Sequence, residues 1–258
     1  MTTTLAIANQ KGGVAKTTTV ASLGAALTEL GHRVLLVDLD PQACLTFSLG
    51  IDPEDLDTSV HDVLLGNGEA DDVILPTEDG ADLLPATIEL AGAEAALLTR
   101  TGREHALRVA LEPLGNRYDW ILLDCPPSLG VLTVGALSAA DAVLIPLQCE
   151  TLSHRGVGQL LDTVHDVRRF TNRGLSVLGV LPTLYDGRTT HARAVLEAIS
   201  DAYELDVLQP PIPKTIRFAE APAAGRSILG TARGHRGAQA YRELAAHLTG
   251  RSNGVPGS

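Results

Sequence analysis

The stretch NQKGGVAKTTTV, Asn9 to Val20, constrains the fold more than any other part of the chain. It follows TLAIAN, an apolar run that reads as a buried strand, and it opens AKTTTVASLGAALTELG, which reads as a helix with Gly31 just past its end. Strand, glycine-rich turn and helix form the layout that holds a polyphosphate, because loop and helix N-terminal N–H groups point at the anion. In that layout Lys16 reaches the β- and γ-phosphates and the Thr17 hydroxyl binds Mg²⁺. Gly12 and Gly13 allow close backbone approach. The usual pattern GxxxxGK[ST] fails here, since Gln10 and Ala15 stand where it wants glycine. KGGxxK[ST], headed by Lys11, fits instead, and it carries a second lysine. If the backbone at Ala15 needs positive φ, alanine there is strained.

Other apolar runs recur at a spacing that leaves room for helices between them. RVLLVDLD, YDWILLDCPPS, DAVLIPLQ and LSVLGVLPTLYD read as strands. Helical patterns fall at Leu129–Ala140, Gly156–Arg169, Ala192–Tyr203 and Ala238–Leu248. The alternation predicts an α/β fold, a doubly wound and mostly parallel sheet covered by helices on both faces. The acidic, turn-rich segment Asp52–Gly80 reads as surface loops and short helices within the domain. The expected organisation is one domain over 1–250 and a flexible tail over 251–258. Two of the strands end in carboxylates: Asp38 and Asp40 after the second, Asp124 after YDWILL. Strand alternation puts Asp38 and Asp40 on one face at the carboxyl edge of the sheet, where open α/β folds bind ligands.

Composition narrows the function. Aromatic residues make up 3% of the chain, which argues against a stacking surface for single-stranded nucleic acid. Cys44, Cys125 and Cys149 form no CxxC pair, the histidines show neither HxxxH nor HExxH spacing, and no metal cluster is expected from them. MTTTLAIANQ has no basic leader region, and no apolar run approaches the roughly 18 residues of a membrane span. Reduced thiols and a cytoplasmic location are therefore expected. Net charge is −16 before Arg168 and +5 from there on, so a polyanion would meet its match only on the C-terminal third.

KGGVAKTTT resembles the deviant Walker A motif of the ParA/MinD group of P-loop ATPases. The resemblance extends from Thr4 to about Thr249. It implies ATP and Mg²⁺ as cofactors and a nucleotide site formed by Lys11, Gly12, Gly13, Val14, Ala15, Lys16, Thr17 and Thr18, with Pro213 near the adenine. It implies that Lys16 holds its own nucleotide, while Lys11 crosses to the nucleotide of a second subunit and makes an ATP-bound homodimer. Asp40 matches the residue that orients the attacking water. Thr17, Asp38 and Asp124 match the surroundings of Mg²⁺, the two carboxylates acting through water.

LLPATIEL, LIPLQCETLSHRGVGQLL, YDGRTTHARAV and PIPKTIRFAEAPAAGRSI resemble segments of the chromosome and plasmid partition branch, Soj included. Lys214 and Ala223 replace an arginine and a serine of that pattern. The match implies that Arg188, Lys214 and Arg217 meet double-stranded DNA, through phosphates and without reading sequence. It also implies a ParB-like activator, a location on the nucleoid, and a short form with no helix-turn-helix extension before the first strand. Two alternatives share the motifs: a cargo-positioning ATPase that uses the nucleoid, and a MinD-like membrane-associated one. Against the second, AQAYRELAAHL has a polar face of mixed charge, so it reads as the helix closing the domain, and no membrane contact is expected. A metabolic P-loop enzyme would need a substrate pocket beside the γ-phosphate, and no motif signals one.

Overall fold

The computed structural model describes residues 2–150, 153–187 and 190–252. The strands are β1 (Thr3–Ile7), β2 (Val34–Asp38), β3 (Leu75–Pro76), β4 (Asp82–Leu84), β5 (Trp120–Asp124), β6 (Ala142–Gln148) and β7 (Ser176–Thr183). They form one sheet in the order β3-β4-β2-β5-β1-β6-β7. Every pairing is parallel except β3 with β4. The predicted doubly wound, mostly parallel α/β fold is what the chain adopts.

Alternation along each strand divides the core in two. Ala6, Leu35, Val37, Ile121, Leu123, Val143 and Ile145 face one layer of helices. Leu5, Ile7, Val34, Leu36, Trp120, Leu122 and Leu144 face the other. Strands buried on both sides need helices on both sides, which is why these runs are apolar at nearly every position.

The second layer is built on α1 (Lys16–Glu29) and the last helix, Arg236–Ser252, which pack against each other. Their contact is closed by a buried hydrogen bond between the Thr19 and Tyr241 hydroxyls at 3.0 Å and by Arg242 donating to Glu29. AQAYRELAAHL thus lies inside the domain, as its mixed polar face predicted. The helices predicted later in the chain are present as Val131–Ala139, Ser153–Phe170 and Thr190–Tyr203. Two more, Leu90–Leu97 and Ala106–Leu111, cover the first face.

One local expectation needs adjusting. Asp38 is the last residue of β2, but Asp40 lies beyond the strand, so alternation does not hold the two on one face. Asp38 is fully buried and Asp40 only partly.

Candidate active site

The loop Ala8–Ala15 leaves the carboxyl end of β1 at the middle of the sheet, between β5 and β6. Register brings three strand ends level: Ile7 pairs with Asp124, and Asp124 with Asp38. The phosphate loop and two buried carboxylates are therefore neighbours by strand pairing alone.

Long-range hydrogen bonds fix the loop. Buried Asn9 donates its amide to the Pro146 carbonyl at 2.7 Å and accepts from the Lys11 N–H at 3.0 Å. The Thr183 hydroxyl donates to the carbonyl of buried Val14 at 2.9 Å. The ends of β6 and β7 thus hold the two ends of the turn. Between them Gly12 and Gly13 are exposed, and Gly13 takes φ +73°. Ala15 is left-handed as well, at φ 65°, so the conditional strain is realised. A non-glycine residue in that region costs about 1–2 kcal/mol.

Ala15 turns the chain into α1, and its carbonyl accepts the Thr19 N–H. No side chain caps this helix, and its first turn carries no acidic residue. Its leading N–H groups remain available to an anion. Lys16 is buried beside them, its ammonium 3.4 Å from the Lys11 carbonyl. Burial holds the Lys16 ammonium below its ordinary value, and the Asp124 carboxylate opposes that most strongly.

Lys11 behaves differently. It is half-exposed and forms an ion pair with Glu150, beyond the end of β6. One lysine points into the site and the other lies across its rim.

Asp124 is the most exceptional group in the site. It is completely buried, and neither carboxylate oxygen has a hydrogen-bond partner. Burial, followed by the charge of Asp38, pushes its carboxyl well above the usual range. The Thr17 hydroxyl acts on it in the opposite sense without reaching hydrogen-bonding geometry. A buried carboxylate left unpaired is costly unless something positive joins it. A threonine hydroxyl beside such a group is a donor set that fits Mg²⁺, which binds through one or two carboxylates and keeps several waters. Among the described residues no group of three or more acidic, histidine or cysteine side chains could hold a metal by itself.

Asp38 is tied into the protein. Its Oδ1 accepts the Asp40 N–H at 3.1 Å, and its Oδ2 accepts the Thr46 N–H and hydroxyl at 2.9 and 2.8 Å. Burial still pushes its carboxyl up to about 6 against those bonds. Thr46 lies on α2 (Cys44–Ser48) and in turn accepts the Ala86 N–H at 3.0 Å. Asp38 therefore anchors the loop that carries Asp40. The Asp40 carboxylate accepts the Gln42 N–H at 3.0 Å, within its own turn. No motif announced Asn9 or Thr46, since each acts through partners distant in sequence.

Of the remaining predicted residues, Pro213 and Lys214 lie beside the end of β7, Pro213 bridged to Tyr185. Lys214 is exposed, with no ion-pair partner among the described residues, and Arg217 is exposed and paired with Glu220 at 2.8 Å. Arg188 lies outside the described residues. Cys125 is buried, and burial pushes its thiol far up, so it has the inert character expected of a core thiol. No helix among the described residues is long and apolar enough to cross a membrane.

A parallel sheet with an uncapped helix after a glycine turn, a buried lysine and an orphaned carboxylate defines a P-loop nucleotide-binding protein. The comparisons narrow the class. The family model of an AAA domain matches residues 2–177. The sporulation initiation inhibitor protein Soj of Bacillus subtilis is 45% identical over 95% of this chain and 97% of Soj. The chromosome partitioning protein ParA of Caulobacter vibrioides is 42% identical over 96% of this chain and 94% of ParA. A crystal structure of cobyrinic acid a,c-diamide synthase from Mycobacterium smegmatis, with bound ADP and magnesium, is 58% identical with TM-score 0.89. It covers 98% of this chain and 96% of that one. The chain belongs to the ParA/Soj/MinD family of deviant Walker A ATPases.

Proposed function

We propose that the protein is a DNA partition ATPase whose ATP-bound homodimer grips double-stranded DNA non-specifically and lets go on hydrolysis. The observation that carries this reading is the division of labour between the two lysines. Lys16 is buried over the site, and Lys11 lies half-exposed on its rim against Glu150. A lysine not needed by its own nucleotide is available to a second copy. The names of the Soj and ParA relatives point the same way.

Bound Mg²⁺ would neutralise developing phosphate charge, and Thr17, Asp38 and Asp124 would hold it with ATP. The chain itself supplies positioning and charge, which is most of what phosphoryl transfer asks of a protein. Gly12 through Thr18 cradle the phosphates, and Pro213 lies near the base. Asp40 orients water, and Lys11 completes the partner's site. Arg188, Lys214 and Arg217 form the DNA face, and pairing two faces in a dimer raises avidity without new contacts. A ParB-like activator speeds hydrolysis, and the protein works in the cytoplasm on the nucleoid.

Variants at the two lysines test the reading. Lys16→Ala is expected to lose ATP binding. Lys11→Ala is expected to bind ATP and remain a monomer by light scattering. An ordinary ATP-dependent dimer of Lys11→Ala would refute the cross-subunit role. The diamide synthase name of the Mycobacterium smegmatis relative supports a second reading, an ATP-dependent amidation. Incubation with cobyrinic acid, glutamine and Mg·ATP separates the two, because amide product would displace the partition reading.

A further inference from the structure

Two glycines from distant parts of the chain meet backbone to backbone beside the active site. Gly50 follows α2 and takes φ +84°. Gly225 follows two consecutive helical turns, Arg217–Glu220 and Ala221–Ala224, and takes φ +63°. A Cβ on Gly225 would stand 2.8 Å from the Gly50 Cα, and one on Gly50 would stand 3.2 Å from the Gly225 Cα. Carbon atoms pack at about 3.5–4.0 Å, so neither position accepts a side chain unless the two backbones part.

Each glycine is bonded to its own element. The Gly50 N–H donates to the Phe47 carbonyl of α2 at 3.0 Å, and the Gly225 N–H to the Pro222 carbonyl at 3.0 Å. Movement of either element therefore reaches the contact. On one side, α2 holds Asp38 through Thr46, and Asp38 lies level with the orphaned Asp124. On the other side, Asp79 in the turn between β3 and β4 fixes the chain just beyond Gly225. It accepts from Arg226 Nε at 2.9 Å and from the Ser227 N–H at 2.6 Å. With that end held, a displacement at Gly225 passes back toward Arg217. Beside the contact, Thr17 and Thr18 of α1, Ser48 of α2, and Phe218, Ala221 and Pro222 line a cavity of about 30 Å³, which leaves room for a small shift.

We infer that Gly50 and Gly225 are positioning residues for DNA binding, and that their contact carries the state of the nucleotide site from Asp38 through α2 to the segment that presents Arg217 to double-stranded DNA. Mg·ATP brings positive charge to Asp38, and the two hydrogen bonds from Thr46 tie α2 to the position that carboxylate takes. A contact made by backbone alone has no side chain to absorb the shift, and close-packed interiors transmit strain. The identity of the ligand rests on the partition reading; the coupling rests on the contact.

Gly225→Ala and the milder Gly50→Ala test it. Gly102→Ala is the control, because Gly102 has φ +72° and nothing within 4 Å of an added Cβ, so it carries the backbone strain without the contact. Affinity for a labelled duplex is measured with Mg·ATP and without nucleotide, beside ATP affinity and light scattering. In both contact variants ATP affinity is expected to stay within about twofold and the ATP-dependent dimer to persist, while the ratio of the two DNA affinities falls about tenfold. Gly102→Ala is expected to keep the ratio. An unchanged ratio in the contact variants, an equal loss in Gly102→Ala, or a loss of ATP affinity that accounts for the whole fall would overturn the positioning role.

Amide hydrogen exchange gives a second readout that needs neither DNA nor a glycine variant. It is measured in Lys11→Ala, expected to bind ATP as a monomer, so that no second copy covers the segment. Exchange within Arg217–Gly225 is expected to change several-fold when Mg·ATP is added, and no change would overturn the coupling. An exchange response without DNA binding in any nucleotide state would count against the partition reading and leave the coupling in place.

Discussion

Ala15 and Ala43 occupy the same backbone region in the two loops that frame the site, yet substitution should treat them oppositely. Both are left-handed, at φ 65° and 50°. Ala15 is partly exposed, so Ala15→Gly removes about 1–2 kcal/mol of strain with little loss of packing. The added freedom of the unfolded chain returns about 0.4–1 kcal/mol. The net is stabilisation of up to about 1 kcal/mol, a rise in Tm of about 2–4 °C for a chain of this size. Thermal unfolding of Ala15→Gly checks it, and a lowered Tm would show that the turn is not strained. Ala43 is buried in the core, and its methyl has packing to lose, so Ala43→Gly is expected to gain nothing. The strain at Ala15 was legible as a condition, because a glycine pattern with alanine in it poses the question. The orphaned state of Asp124 was not legible, since it depends on what fails to reach the carboxylate.

At the scale of elements, the site is held by strand ends rather than by the loop itself. β6 and β7 grip the phosphate turn through Pro146 and Thr183, and α2 grips Asp38 through Thr46. Thr46→Val keeps the shape of the side chain but strands the buried Ala86 N–H, which costs about 1–3 kcal/mol. It also takes one hydrogen bond from Asp38. The measurement is denaturant unfolding with and without Mg·ATP. Loss of stability accompanied by weaker nucleotide binding is expected. Unchanged stability would mean that the Asp38–Thr46–Ala86 chain does not hold the loop.

The long strands were readable because burial on both faces makes them apolar at nearly every position. β3 spans two residues and β4 three, too short for any periodicity, and β3 lay inside a segment read as loops. Leu90–Leu97 and Ala106–Leu111 carry no capping side chain to mark their starts. Asn9 and Thr46 are polar residues in apolar surroundings, and only the fold shows what they bind.

For the whole molecule, charge is divided unevenly between two parts of the chain. The acidic stretch Val34–Thr99 includes the loop that carries Asp40, and the basic excess begins at Arg168. Within the basic part, Arg217 is exposed and its pair with Glu220 is three residues along one short helix. An exposed pair of this kind contributes about 0–1 kcal/mol, so Arg217→Glu should leave the fold and the ATP-dependent dimer in place. DNA affinity should fall. The slope of log K against log salt should shrink by about 0.9 for each phosphate that Arg217 neutralises, twice over in a dimer. An unchanged slope would remove Arg217 from the DNA face.

The most direct test of a nucleotide-switched grip on DNA is binding of the purified chain to a labelled duplex of arbitrary sequence, with ATP, with ADP and without nucleotide, at low and moderate salt. A partition ATPase of this design is expected to bind with ATP alone, weakened by salt and indifferent to sequence. Binding that ignores the nucleotide, or no binding in any state, would contradict it.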